Sequence, residues 1–338
     1  MYERFYGLRE LPFELTPNPR YLFLTERHRA ALCNLQYGIT ARRGITVRIG
    51  EAGTGKTTLV HAALGLVRRD DARCVYLTNP TLTRSEFVEY LAHGFGLDHE
   101  AKHSKAVFLR ELERVLLDRL AAGVVSALLI DEAQSMPHEL LEEIRLLANM
   151  ETPTDKLLPV VLAGQPELAD RLNEPALRQL KQRVALRCDL GPLHLTETAA
   201  YIAARLERAG GRSGQVFTRE AVEVIHKRSR GIPRTISVMC DNALISGFAA
   251  QRRPVDREIV LEICRDLDFG RGDEGPAPQA AASVLPMPLA HRPTADGGTA
   301  EMRATNGPRP GPEAKAQPGN MFTSFVRRRR FSFFQEDV

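Results

Sequence analysis

Cysteine is scarce and unpatterned in this sequence. Cys33, Cys74, Cys188, Cys240 and Cys264 are odd in number, widely spaced and free of any C-x-x-C pair. That excludes a disulfide framework and a cysteine-based zinc site, and it fits a reducing compartment. Long apolar runs are missing too. The best stretch, around residues 124–130, falls well short of the about 18 residues of a membrane span and ends at an acidic pair. The opening MYERFYGLRELPFEL is interrupted by charges and holds no apolar h-region, so it does not read as a secretory signal. A soluble or peripheral protein is expected, not an integral one. Nor is there a strong excess of one charge. The chain holds 46 Lys+Arg against 42 Asp+Glu, and nine of the former and seven of the latter lie beyond residue 269. The first 269 residues are therefore near neutral, which excludes a globally basic nucleic-acid binder. Tryptophan is absent, and aromatics make up 6%.

What is present is an ordinary globular balance, 43% hydrophobic and 26% charged over 338 residues. That length suits about two domains of roughly 100–200 residues. Composition changes sharply near residue 270. Residues 270–320 hold nine of the 21 prolines with much Gly and Ala, and read as a disordered linker. Residues 321–338 return to basic and aromatic character, with Arg327, Arg328, Arg329 and Arg330 in a row between phenylalanines. Before residue 270, short apolar or β-branched runs at 45–49, 74–78, 127–130, 158–163 and 184–188 alternate with helical patterns, which predicts a parallel α/β sheet. Thr83 with Glu86 forms a capping-box pattern, and Ser104 caps the helix expected after it. After Cys188 the strands stop. Four helices are expected at 196–209, 218–229, 233–250 and 256–267, opened by Thr196, Thr218 and Asp256 as caps and by Pro233 in a first turn.

The strongest chemical signal is Gly50-Glu51-Ala52-Gly53-Thr54-Gly55-Lys56-Thr57, a full G-x-x-x-x-G-K-T match between the strand ITVRI and a helix. Its glycines let backbone N–H groups curl toward phosphate oxygens, and the helix N-terminus adds a favourable dipole. Lys56 is placed to neutralise phosphate charge, Thr57 to ligate Mg²⁺, and Thr58 closes the loop. The second half of the signal is LLIDE, an apolar strand ending in Asp131 and Glu132. Asp131 is expected in the magnesium shell and Glu132 beside the attacking water. Alternation along a strand sends the two carboxylates in different directions. ATP and Mg²⁺ are thus the expected ligands, and ATP hydrolysis the expected activity.

The motif order GEAGTGKTT, LLIDEAQ, VVLAGQPEL, LKQRVALRCDLGPL and RGIPRTISVMCDNAL, after the opening MYERFYGLRELPFELTPNPRYLFLTERHRAAL, resembles AAA+ ATPases. Within them it is similar to the general secretion pathway protein A type and to secretion ATPases found beside exosortase loci. The resemblance covers about residues 1–269. It implies a P-loop core with a five-stranded parallel sheet at 45–192, an all-α lid at 193–269, and an N-terminal segment at 1–44 that borders the nucleotide. By the same resemblance Asn79 stands at a polar switch position restraining Glu132, although Asn79-Pro80 also reads as a plain turn. Gln165 matches sensor 1, where Asn or Thr is usual, and Arg234 matches sensor 2. Arg183 is the expected arginine finger, acting on a neighbour's ATP, with Arg178 as the alternative. Tyr21 and His28 stand near the expected base, with core packing as the competing role. A finger acting in trans implies an ATP-dependent homo-oligomer. The family also implies cell-envelope secretion machinery as partner and a cytoplasmic location, peripheral at the inner membrane. The Arg327–Arg330 tail is the expected membrane or partner contact. A DNA-associated AAA+ role is the alternative, disfavoured by the near-neutral body and by the linker where a DNA-binding domain would follow the lid.

Overall fold

The computed structural model describes residues 1–267 apart from 16–18, 67–71, 103 and 212. The linker expected at 270–320 and the basic tail at 321–338, with Arg327 to Arg330, lie outside the described residues.

The five apolar runs form the five strands of one parallel sheet: β1 (Ile45–Gly50), β2 (Ala72–Leu77), β3 (Val125–Ile130), β4 (Val160–Gly164) and β5 (Val184–Leu190), in the order β2-β3-β4-β1-β5. Burial explains the order. Every residue of β1, β3 and β4 is buried, as a strand covered on both faces requires, whereas β2 and β5 carry exposed residues and stand at the edges. β4 begins after Pro159, later than the apolar run suggests, because proline has no N–H to give the ladder. In register, Val47 faces Leu162 across β1 and β4, and Leu129 faces Val161 across β3 and β4.

Alternating side chains feed two cores. On one face, Val47, Leu128 and Leu162 meet Phe87 of α4 (Arg84–Phe95), Leu112 of α5 (Lys105–Ala121), Ile144 of α6 (His138–Leu147) and Leu168 of α7 (Pro166–Leu172). On the other, Leu129 and Val161 meet Leu35 of α2 (Glu26–Thr40) and Leu59 of α3 (Lys56–Leu66). Glu143 is buried between helices and bonded to Arg84 and to Lys105, the latter at 2.8 Å, so α4, α5 and α6 share one carboxylate. A short α8 (Arg178–Lys181) leads into β5. Thr83 and Ser104 cap α4 and α5 as their patterns predict.

A third core belongs to the lid helices α9 (Leu195–Arg208), α10 (Arg219–Ser229), α11 (Pro233–Ala249) and α12 (Arg257–Asp266). Thr218 and Asp256 cap α10 and α12. Thr196, expected as the cap of α9, is instead inside its first turn. The cap is His194, whose N–H donates to Glu197 at 2.9 Å, so the helix starts earlier. The lid core also takes in the first residues of the chain. Tyr2, Tyr6 of α1 (Glu3–Tyr6), Leu8 and Phe13 are buried among Ile202, Leu206, Met239 and Val255. Among the described residues no helix is long and apolar enough to cross a membrane.

Candidate nucleotide site

The phosphate-loop motif occupies the turn from β1 to α3. Gly53 (φ 83°) and Gly55 (φ 91°) both adopt left-handed backbone, which side-chain-bearing residues resist. Thr54 Oγ1 donates to the Glu51 carbonyl at 2.8 Å and tightens the turn. Lys56, largely buried, donates to the carbonyls of Gly50 at 2.7 Å and Glu51 at 3.1 Å. Burial pushes its pKa down, against the pull of Glu132 and Asp131. The first residues of α3 (Lys56, Thr57 and Thr58) leave helix-end N–H groups facing the cleft.

Beneath the loop lies a residue the motif does not contain. Arg48, in the middle of β1, is fully buried, and its Nη1 donates to the Lys56 carbonyl at 2.8 Å. Its Nε and Nη2 have no partner, and burial pushes its pKa down to about 10. The sequence signal was a lone arginine inside ITVRIG, which strand pattern alone does not turn into a role.

Asp131 and Glu132 part company at the end of β3. Asp131 is buried, and its Oδ2 accepts from Thr57 Oγ1 at 2.6 Å and from the Tyr76 hydroxyl at 3.0 Å. Its Oδ1 accepts from the Glu132 N–H at 3.0 Å. Burial, then the Asp131 charge, pushes the Tyr76 pKa well up, so the phenol stays a donor. Glu132 turns into left-handed backbone at φ 52°. Its Oε2 accepts from Gln134 Nε2 at 2.6 Å and from Gln165 Nε2 at 3.1 Å. Gln165 thus stands at the Glu132 carboxylate, at the end of β4. Tyr76 and Gln134 were missed as site residues. Gln134 was visible within LLIDEAQ, whereas nothing at the β2 end marked Tyr76.

The loop residues 52–58 and Glu132 line one end of a cleft of about 440 Å³, within the usual range for small-ligand sites, with Asp131, Gln134 and Gln165 behind them. The other end is walled by Tyr21 and His28 of the N-terminal segment and by Tyr201, Arg205 and Arg234 of the lid. The Arg205 guanidinium lies 5.3 Å from the Tyr21 ring centre and 5.0 Å from that of Tyr201. His28 is buried, with Nδ1 2.7 Å from Thr25 Oγ1 and Nε2 3.3 Å from the Thr54 carbonyl. Burial lowers its pKa. The Arg234 N–H donates to the Gly53 carbonyl at 3.2 Å, which joins lid to loop. Gly53 has no room for a side chain there: a Cβ would stand 2.8 Å from Arg234 Cβ and 3.0 Å from Ile232 Cγ2.

Three expected residues, Asn79, Arg178 and Arg183, stand apart from the cleft. Asn79 is exposed, and its Oδ1 accepts from the Thr81 N–H at 3.3 Å in a local turn. The Glu132 carboxylate is engaged by glutamines, not by Asn79. Arg183 and Arg178 are both exposed. Arg183 immediately precedes β5, whose first residue pairs with Ile45, while Gly50 at the loop end pairs with Leu190. A strand of this length, at about 3.3 Å per residue, puts roughly 17–20 Å between Arg183 and the loop of its own chain.

Residues 39–172 match the family model described as AAA domain. General secretion pathway protein A of Aeromonas hydrophila is 42% identical over 249 residues, which cover 74% of this chain and 45% of that protein. The chain therefore spans under half the length of this relative. Among solved structures, the ORC2 protein of Aeropyrum pernix in its ADPNP–ADP complexes superposes with a TM-score of 0.56 at 17% identity, covering 75% of this chain and 71% of that one. The Drosophila ORC bound to DNA gives 0.57 at 19%, covering 76% and 64%. At such identities the structural likeness establishes the fold. The sheet order, the phosphate loop and the sequence match agree: the chain carries an AAA domain of the P-loop NTPase fold, and it is a relative of general secretion pathway protein A.

Proposed function

We propose that this chain is an ATPase that hydrolyses ATP in the cleft between core and lid and uses the cycle to assemble or remodel a cell-envelope secretion or polysaccharide-export system. The observation that carries the catalytic part is convergence. The phosphate loop, Thr57 and the Glu132 carboxylate line one cleft, and the buried Asp131 accepts from Thr57 directly behind it. Lys56 is held over loop carbonyls, and phosphate oxygens supply better partners for its ammonium than those carbonyls do. The α3 N-terminus adds N–H donors to the same oxygens. Asp131 and Thr57 present two hard oxygen ligands 2.6 Å apart, a donor set that fits Mg²⁺ completed by water and phosphate. Bound there, Mg²⁺ supplies charge neutralisation to the phosphates. Tyr76 holds Asp131 in place. Glu132 orients the attacking water and accepts its proton. Arg234 reports lid position at the phosphates, and Gln165 couples the glutamate to the γ-phosphate.

Arg183, with Arg178 as its alternative, serves a neighbouring subunit, because its own site is too far away. An ATP-dependent homo-oligomer follows. Asn79, with its carboxamide used in a turn, leaves restraint of Glu132 to the glutamines. The envelope role is supported by the identity to general secretion pathway protein A, and the tail at Arg327–Arg330 supplies a membrane or partner contact to it. The decisive experiment compares ATP hydrolysis with and without Mg²⁺. Lys56→Ala is expected to abolish turnover, and Glu132→Gln to bind ATP tightly without turnover. Normal hydrolysis by Lys56→Ala would refute the assignment. Liposome co-sedimentation of the full chain and of a version ending at Asn320 tests the tail, with equal negligible binding excluding lipid.

A further inference from the structure

Glu132 is held in an unfavourable backbone well, φ 52°. For a residue with a side chain this costs about 1 kcal/mol or more, so its surroundings must hold it there. Besides backbone bonds at Asp131 and Ser135, one side chain ties it to the next strand. Gln134 Nε2 donates to Glu132 Oε2 at 2.6 Å, while its Oε1 accepts the Gln165 N–H at 3.0 Å. Those partners settle the amide's orientation, since a carboxylate only accepts and a backbone N–H only donates. Gln134 therefore spans from the end of β3 to the end of β4, fixed at both termini. Its place is reserved: a Cβ at Gly164 would stand 2.9 Å from Gln134 Oε1. Its backbone is pinned as well, because Arg171 Nη1 of α7 donates to the carbonyls of Gln134 at 2.5 Å and Met136 at 2.6 Å.

We infer that Gln134 is a positioning residue for hydrolysis. It fixes Glu132 through Oε2, leaves Oε1 to meet the water, and transmits any shift at the end of β4 to the glutamate through the Gln165 N–H. The inference rests on the reading of Glu132 as the group that handles water. Gln165 is placed differently. Its side-chain amide shares Oε2, so when it turns toward a phosphate, Gln134 alone keeps the carboxylate aimed. Gln134 itself does not line the cleft. Loss of its amide should therefore misaim the carboxylate without weakening nucleotide binding, and a misplacement of about 1 Å costs on the order of 10²-fold in rate.

The test uses the full chain and three variants, Lys56→Ala, Gln134→Ala and Gln134→Glu, with steady-state ATP hydrolysis, direct binding of a fluorescent ATP analogue and thermal melting. Gln134→Glu keeps the shape and the acceptor for the Gln165 N–H but replaces the donor to Glu132 by a carboxylate. The expected result is a kcat lowered about 10- to 100-fold in both Gln134 variants, with KM and analogue affinity within about twofold of wild type. A merely structural role would leave Gln134→Glu near wild type, or would lower affinity, melting temperature and kcat together; either result overturns the inference. If the wild type hydrolyses ATP, Lys56→Ala does not, and both Gln134 variants keep kcat within twofold, this inference alone fails. If the wild type does not hydrolyse ATP, or Lys56→Ala matches it, the ATPase reading fails first.

Discussion

At the phosphate-loop end of the cleft, the candidate groups in and behind its wall follow strands that are buried on both faces: the loop after β1, Asp131 and Glu132 after β3, and Gln165 after β4. At the lid end, the walls come from the two extremes of the folded chain. Arg205 Nη1 donates to the Pro12 carbonyl at 2.8 Å across 193 residues of sequence, and Tyr2, Tyr6 and Phe13 sit in the lid's core. The first end is positioned by local turns on a rigid sheet. The second exists only when the N-terminal segment has docked on the lid. A ligand that spans both ends therefore touches groups held by the sheet and groups held by that docking.

The largest effect is expected where the two ends touch. Gly53→Val imposes a β-branched residue at φ 83° and drives its Cβ into Arg234 and Ile232. Nucleotide binding should be lost and the lid should separate from the loop, read as abolished binding of an ATP analogue and increased protease sensitivity of the lid. Retained binding would mean the joint is not needed. Next comes Arg205→Ala, which removes the stack between Tyr21 and Tyr201 together with the Pro12 bond. A loss of about 2 kcal/mol of stability is expected in denaturant melts, as for other buried networks. Amide exchange should rise in residues 2–13 and in α9 while β1 and β3 stay protected. Uniform exchange across both regions would show that the ends do not differ.

That contrast also decides what could be read without a structure. The strand runs at β1, β3 and β4, the loop and the acidic pair were legible because each is a local pattern whose neighbours in sequence are its neighbours in space. The AAA fold and the relation to secretion protein A were legible from the same blocks. The amide clamp was half visible: Gln165 stood out at the end of VVLAG, but its meeting with Gln134 depends on β3 and β4 being adjacent in the sheet. Tyr76, on an edge strand three places from β1, and Arg48, hidden by its own burial, had no local signature. The union of residues 2–13 with the lid was illegible for the same reason. Its partners are separated by the whole core.

Arg48 gives a smaller effect of opposite sign. A buried guanidinium with Nε and Nη2 unpaired is costly, and an apolar side chain of similar length removes that cost. Arg48→Met should leave the nucleotide-free protein as stable as wild type or about 1 kcal/mol more stable, against the lost bond to the Lys56 carbonyl. ATP should then stabilise it less, because a positive charge beneath the phosphates is gone. Melting curves with and without nucleotide check both halves. A destabilised Arg48→Met would show that the single bond outweighs the unpaired charge.

The smallest expected effect is a proton linkage at the seam between the two ends. His28 joins Thr25, the cap of α2, to the Thr54 carbonyl in the loop. With Nε2–H donating to that carbonyl, Nδ1 is free to accept from the Thr25 hydroxyl, so the neutral ring satisfies both partners. Burial lowers its pKa below the ordinary 6.5, outweighing the opposing Thr54 bond. Above that value both folded and unfolded chains hold a neutral ring, and the stability contribution is flat. As pH falls through 6.5 the unfolded chain takes up a proton that the folded chain still refuses, so stability declines until the lowered folded pKa is passed. His226, whose pKa is also lowered by burial and then by the charge of His194, tilts the same way. His28→Gln keeps an N–H donor for Thr54 and removes one of the two titrations. Its melting temperature should therefore fall less than that of wild type between pH 7 and pH 5.5, about where histidine titrates. Equal slopes would assign the linkage to His226 and leave the seam between loop and N-terminal segment insensitive to pH.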